Sequence, residues 1–248
     1  MNTPAASCLP RDARHLALPQ IGAEGQARIA AGKVLLVGAG GLGNAVAAYL
    51  GAAGVGELVV ADFDRIDESN LGRQFLFGPA DVGAAKIDVL ARRLAEINPG
   101  VRVTGAGVRV DATTIEPLAR GVDMIIDGSD NFRTRFVVAD AAVRHGKALV
   151  AGSAIRLEGQ VATFGPDYTA SPCYRCVYTD ADESREDCAG NGVLGPIPGV
   201  VGALMAVDAL KLLAGLPVQR GHLTLFDGAS SEFRSVQVRK RQDCPACS

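Results

Sequence analysis

The stretch VLLVGAGGLGNAVAAYL, residues 34–50, passes from an apolar run through a cluster of glycines into a helix-like pattern. Gly38, Gly40 and Gly43 fit the spacing G-x-G-x-x-G. In that spacing glycines permit a tight strand-to-helix turn and let backbone amides approach a phosphate at the helix N-terminus. A second apolar run, ELVVAD, ends in Asp62, which is placed to accept hydrogen bonds from ribose hydroxyls. NAD fits this arrangement, and any adenosine ribose fits it equally well. A turn that binds nothing is the plain structural alternative.

Working outward, KVLLVG, ELVVAD, VRVTGAGV, DMIIDGSD and KALVAGS are short β-rich runs. Helix-like segments at 43–53, 81–97, 112–120 and 131–145 separate them. This alternation predicts a Rossmann-like, doubly wound α/β fold with a mostly parallel sheet. After Gly152, the runs QVATF, HLTLFD and FRSVQVRK alternate apolar and polar residues as antiparallel strands do, and they are expected to extend the same sheet. Residues 1–30 read as a polar arm with a helical piece around Glu24 to Ala30. Residues 31–248 read as one domain in two parts, 31–152 and 153–248.

The 248 residues are 48% hydrophobic and carry a formal net charge of -2. That is enough apolar material for a large core and leaves no basic footprint for nucleic acid. No uninterrupted apolar run has the length of a membrane span. Residues 199–214 come nearest, broken by Asp208 and Lys211. The polar, proline-bearing N-terminus lacks the apolar core of a signal peptide, so a cytoplasmic location is expected.

Four of the six cysteines form the pairs Cys173/Cys176 and Cys244/Cys247, each a C-x-x-C. Two such knuckles supply the four thiolates of a tetrahedral zinc, here pinning the C-terminus to the long segment between Gly165 and Gly192. A thioredoxin-like redox pair is the competing reading, but neither pair opens a helix after a strand. With all four positions taken by sulfur, such a zinc is structural.

Beyond Asp62, the segment DRIDESNLGRQFLF and then Lys86 place Asn70, Arg73, Gln74 and Lys86 near the carboxyl end of the second strand. Ligands bind at that edge of such sheets. Fixed cations and amides beside a glycine turn suit a triphosphate better than a nicotinamide. The fourth run ends with Asp127 and Asp130, and a carboxylate there can hold magnesium on the phosphates. Taken singly, each of these charges is equally explained as a surface ion pair.

GAGGLG, Asp62, SNLGRQ, Lys86, SDN and the paired C-x-x-C motifs together resemble the ubiquitin-activating-enzyme-like adenylyltransferases of the ThiF/MoeB/HesA family, over nearly the whole chain. The resemblance implies ATP rather than NAD. It implies adenylation of the C-terminal Gly-Gly carboxylate of a small ubiquitin-like sulfur carrier, for thiamine or molybdopterin synthesis. Gly41 and Asp62 would then hold the nucleotide, while Asn70, Arg73, Gln74 and Lys86 face its phosphates. Asp130 would bind magnesium, with Asn131 beside it. The family also supplies an arginine from the partner protomer of a homodimer in an R-Y-x-R-Q motif. Here that stretch reads Arg11-Asp12-Ala13-Arg14-His15, which makes Arg14 the candidate.

Cys188, in REDCAGNGVLGP, stands where the family has its conjugating cysteine; inert behaviour is the alternative. Its acidic neighbours disfavour a standing thiolate, which argues for reaction only after carrier docking. SAIRLEGQVATF looks like the molybdopterin branch and SREDCAGNGVLGP like the thiamine branch. No sulfurtransferase segment follows Ser248, so a separate sulfur donor is expected. The other readings are a tRNA-modifying dehydratase of the same superfamily, an NAD-dependent dehydrogenase and a silent zinc scaffold.

Overall fold

A computed structural model describes residues 11–179 and 192–248. In chain order the helices are α1 (Ala13–Leu16), α2 (Gly22–Ala31), α3 (Gly41–Ala53), α4 (Lys86–Ile97), α5 (Ile115–Arg120), α6 (Phe132–Arg144) and α7 (Pro196–Ala214). The strands are β1 (Lys33–Val37), β2 (Glu57–Ala61), β3 (Arg102–Ala106), β4 (Met124–Asp127), β5 (Ala148–Ile155), β6 (Glu158–Phe164), β7 (His222–Asp227) and β8 (Glu232–Gln237). All eight join one sheet in the order β3-β2-β1-β4-β5-β6-β7-β8.

The first five strands run parallel and the last three pair antiparallel, as the switch in hydrophobic period after Gly152 predicts. The order of β1 to β5 is that of a doubly wound sheet, with the β1/β4 boundary as its topological switch point. Leu36, Val60 and Ile126 point to one face and pack under α3, α4 and α7. Leu35, Val59 and Ile125 point to the other, against α5, α6 and the cysteine knuckles.

Two boundaries differ from the sequence pattern for local reasons. The helix expected from 81 begins at Lys86, because Pro79–Asp81 closes a separate 3-10 turn whose Asp81 side chain accepts the Gly78 N–H at 2.8 Å. α2 is part of the body: Ile29 is fully buried in the core beneath α3 and α7. α7, which contains the apolar stretch 199–214, is long and apolar enough by length and composition to cross a membrane. Half of it is buried here against α3, β5 and β6. Gly202 permits that packing, since a Cβ there would meet the Leu42 carbonyl oxygen at 2.6 Å and Ala45 Cβ at 2.7 Å.

Candidate active site

The glycine turn lies where the sequence puts it, between β1 and α3 at the switch point. Gly38 has φ of +88°, a left-handed value suited to glycine. A Cβ on Gly43 would stand 1.9 Å from the Gly38 carbonyl oxygen, so only glycine closes this turn. Gly40 is different: a Cβ there would meet nothing within 4 Å, leaving open space in front of the N-terminus of α3. The amides of Gly41, Leu42 and Gly43 form the first turn of α3. They lack intrahelical acceptors, and the helix dipole adds partial positive charge. This is an anion cradle.

Asp62 joins the cradle through its backbone. One carboxylate oxygen accepts the Ala39 N–H at 2.7 Å and the other accepts the Asp64 N–H at 2.8 Å. Burial pushes its pKa above the ordinary carboxylate value; these two bonds and nearby Lys86 oppose that rise. Lys86, the first residue of α4, is buried and bonds Asp64 at 2.7 Å. The ammonium therefore stands on the β2 side of the turn with one carboxylate partner.

Asn44 is a site residue that periodicity passes over. It is fully buried. Its amide donates to the Ala39 and Gly40 carbonyls at 2.8 and 3.2 Å, and its oxygen accepts the Leu76 N–H at 3.0 Å. One side chain thus staples the 70–76 segment to the glycine turn; its signal in sequence is a lone amide in an otherwise apolar helix. The carbonyl of Arg73 lies 3.5 Å from where a Gly41 Cβ would be. Arg73 donates to the Ser69 carbonyl at 2.9 Å. Gln74 is enclosed, and its Oε1 meets no donor among the described residues, an orphaned acceptor of a kind that bound ligands or water commonly satisfy. Asn70 spends its oxygen on the Asp67 N–H at 3.2 Å within a capping box.

At the end of β4 the two aspartates separate. Asp127 is buried, its pKa raised by desolvation although Arg135 pulls the other way, and it accepts the Ser129 N–H at 2.9 Å. It is enclosed and braces the loop. Asp130 is exposed, so it is the carboxylate available to a cation. Asn131 caps α6 by accepting the Thr134 N–H at 2.9 Å and donates to Asp130 at 3.3 Å. Arg135, which the sequence pattern does not single out, is buried and holds the Ser129 carbonyl through Nε at 3.2 Å and Nη2 at 2.9 Å. Gly38, Gly40, Gly41, Gly43, Asp62, Asn70, Arg73, Gln74, Lys86, Asp130 and Asn131 therefore belong to one rim of the sheet.

Arg14 is not among them. α1 packs on α2, His15 bonds Gln26 at 2.8 Å, and Gln26 donates to the Ala53 carbonyl at the far end of α3. Arg14 is exposed about a helix length from the glycine turn of its own chain. Cys188 lies outside the described residues.

The cysteine knuckles meet behind the sheet. The Sγ atoms of Cys173, Cys176, Cys244 and Cys247 lie within 4.8 Å of one another, with Cys173 to Cys244 at 3.5 Å and Cys176 to Cys247 at 3.6 Å. A tetrahedral zinc with bonds of about 2.3 Å sets its sulfurs about 3.8 Å apart, so the four fit the metal. The Arg241 N–H points at Cys176 Sγ at 3.4 Å, and Lys240 Nζ donates to the carbonyls of Tyr168, Thr169 and Cys247 at 2.6 to 2.8 Å.

With this geometry in hand, a family model described as the ThiF family matches residues 13–246. The chain belongs to the ThiF family. It is 44% identical over 246 residues to the sulfur carrier protein adenylyltransferase of Thermus thermophilus, covering 96% of this chain and 90% of that protein. It is also 44% identical to the Sus scrofa adenylyltransferase and sulfurtransferase MOCS3, of whose length it spans 52%. Among solved structures, a crystal structure of E. coli MccB with ATP superposes with a TM-score of 0.86, covering 98% of this chain and 75% of that one at 23% identity. That likeness speaks for the fold alone. ThiF-family membership leaves the dehydrogenase reading with only the glycine spacing and Asp62, which any adenosine ribose fits equally well.

Proposed function

We propose that this chain is an enzyme that uses ATP to adenylate the C-terminal carboxylate of a small ubiquitin-like sulfur carrier. The observation that carries the reading is the gathering of helix amides, Asp62, Lys86 and Asp130 at one end of β1, β2 and β4. The named adenylyltransferase relatives agree with it. The carrier's carboxylate oxygen attacks the α-phosphorus, the bond to the pyrophosphate oxygen breaks, and pyrophosphate leaves. An anion attacking an anion needs fixed positive groups, which the α3 amides, Arg73 and Lys86 provide. Asp62 orients the ribose. A magnesium ion would be held by Asp130 and would neutralise phosphate charge. Four cysteine thiolates would hold zinc as a structural tie, with no place for substrate.

In this reading residues 31–152 bind the nucleotide and 153–248 the carrier and metal. An open groove on the antiparallel half, lined by Ser153, Gln160, Leu225, Phe226, Asp227 and Arg234, lies toward the same carboxyl end of the sheet and would seat the carrier. Arg14 acts in the partner's site of a homodimer. Sulfur comes from a separate donor. Carrier-dependent ATP–pyrophosphate exchange, run with a panel of small proteins ending in Gly-Gly, tests the proposal. Exchange stimulated by one of them supports it, and none above background with any rejects it.

A further inference from the structure

The fold holds the two cysteine knuckles by different means. The first is built into the body: Tyr174, between Cys173 and Cys176, is buried with its ring centroid 6.0 Å from that of Phe136 and 6.1 Å from that of Phe164. Beside it Arg175 donates to both oxygens of Asp140 on α6, at 2.7 and 3.0 Å. The second knuckle follows β8, an edge strand whose six residues are all exposed, so its backbone must be drawn in by contacts of its own.

Lys240 supplies such a contact. Its ammonium donates to the carbonyls of Tyr168 at 2.7 Å, Thr169 at 2.8 Å and Cys247 at 2.6 Å. The protons of one ammonium thus converge on several acceptors, which the planar fork of a guanidinium does poorly. Tyr168 and Thr169 belong to the stretch that leads into the first knuckle, and Cys247 closes the second, so one side chain crosses the same gap that the metal would cross. That stretch is itself anchored, since the buried Tyr168 donates its hydroxyl proton to the Lys147 carbonyl at 2.7 Å. Charge favours the arrangement too, because four thiolates around Zn2+ leave the cluster anionic. We infer that Lys240 is a positioning residue of the proposed zinc site: it holds Cys247 in place from outside the ligand set and thereby sets how tightly the metal is kept. The inference rests on the zinc reading above.

Competition for zinc between the full chain and chelators of graded affinity tests this. Lys240→Met keeps the aliphatic stem and removes every donor. Zinc affinity should fall about 10- to 100-fold, the usual cost of losing a group that orients a ligand, while ATP affinity by calorimetry stays within about twofold of the parent. Arg239→Met removes a neighbouring exposed cation, and Asp81→Asn weakens the fold away from the knuckles; both should keep zinc like the parent. If Lys240→Met is not recovered as folded protein, Lys240→Gln, with two N–H donors on a shorter stem, should lose zinc affinity in the same direction. Parental zinc affinity in the Lys240 variant overturns the role. So does an equal loss in Arg239→Met or Asp81→Asn, which would trace the effect to charge or to overall stability, and so does a parallel loss of ATP affinity. A parent chain that binds no zinc overturns the metal reading itself.

Discussion

Lys86 and Asp130 flank the glycine turn from opposite sides, one beyond β2 and the other beyond β4, and their substitutions separate chemistry from folding. Asp130 is exposed and, among the described residues, bonded through its side chain to Asn131, so Asp130→Ala should keep the parent melting temperature while carrier-dependent exchange falls about 100-fold or more. Lys86→Ala should lose a similar factor and some stability, because it leaves Asp64 without its partner. Asp81 tests electrostatics away from the site. The Gly78 N–H, then Arg92 and Arg93, hold its carboxyl below the usual range. Its contribution is therefore complete above the ordinary value of about 4 and is lost as pH falls through the lowered one. Asp62 and Asp127, raised by burial, have the opposite sign: their share weakens as pH rises through their raised values. Asp81→Asn should accordingly flatten the acid limb of stability below about pH 4, measured as the urea midpoint against pH.

At the scale of elements, the turn between β1 and α3 and the cysteine knuckles make separable demands. Gly43→Ala forces a Cβ against the Gly38 carbonyl and should cost about 3 kcal/mol or more by urea unfolding, whereas Gly40→Ala has room and should fold like the parent. One zinc per chain is expected by metal analysis, and Cys247→Ser should lower the melting temperature more than it lowers ATP affinity. Strands and glycine turn were legible because they depend on near neighbours: short apolar runs mark the parallel strands and period-2 alternation the antiparallel ones. β7, written in the sequence as HLTLFD, spans His222–Asp227, the same residues. The C-x-x-C pairs announced ligand number and type. Asn44 and Arg135 were not legible, since their roles lie in carbonyls and amides that folding alone brings near. The start of α4 was misplaced because amphipathic periodicity runs on through the Pro79–Asp81 turn.

For the whole molecule, the position of Arg14 makes a quantitative demand on assembly. If it serves a neighbouring protomer's site, Arg14→Ala and Lys86→Ala chains should each be nearly inactive alone. Unfolded and refolded together in equal amounts, they should recover about one quarter of parental exchange, since half the dimers are mixed and each holds one complete site. No recovery above the separate variants would show that Arg14 does not act across the interface. The distribution of aromatic residues also decides what light can report. The chain has no tryptophan and four tyrosines. Tyr174 and Tyr178 sit with ring centroids 4.8 Å apart, and Tyr168 lies under the Lys240 staple. Ultraviolet emission therefore originates mostly on the cysteine side of the sheet. The parent would glow in answer to its knuckles and stay dark to the nucleotide rim, where a single introduced indole would have an empty spectral window to itself.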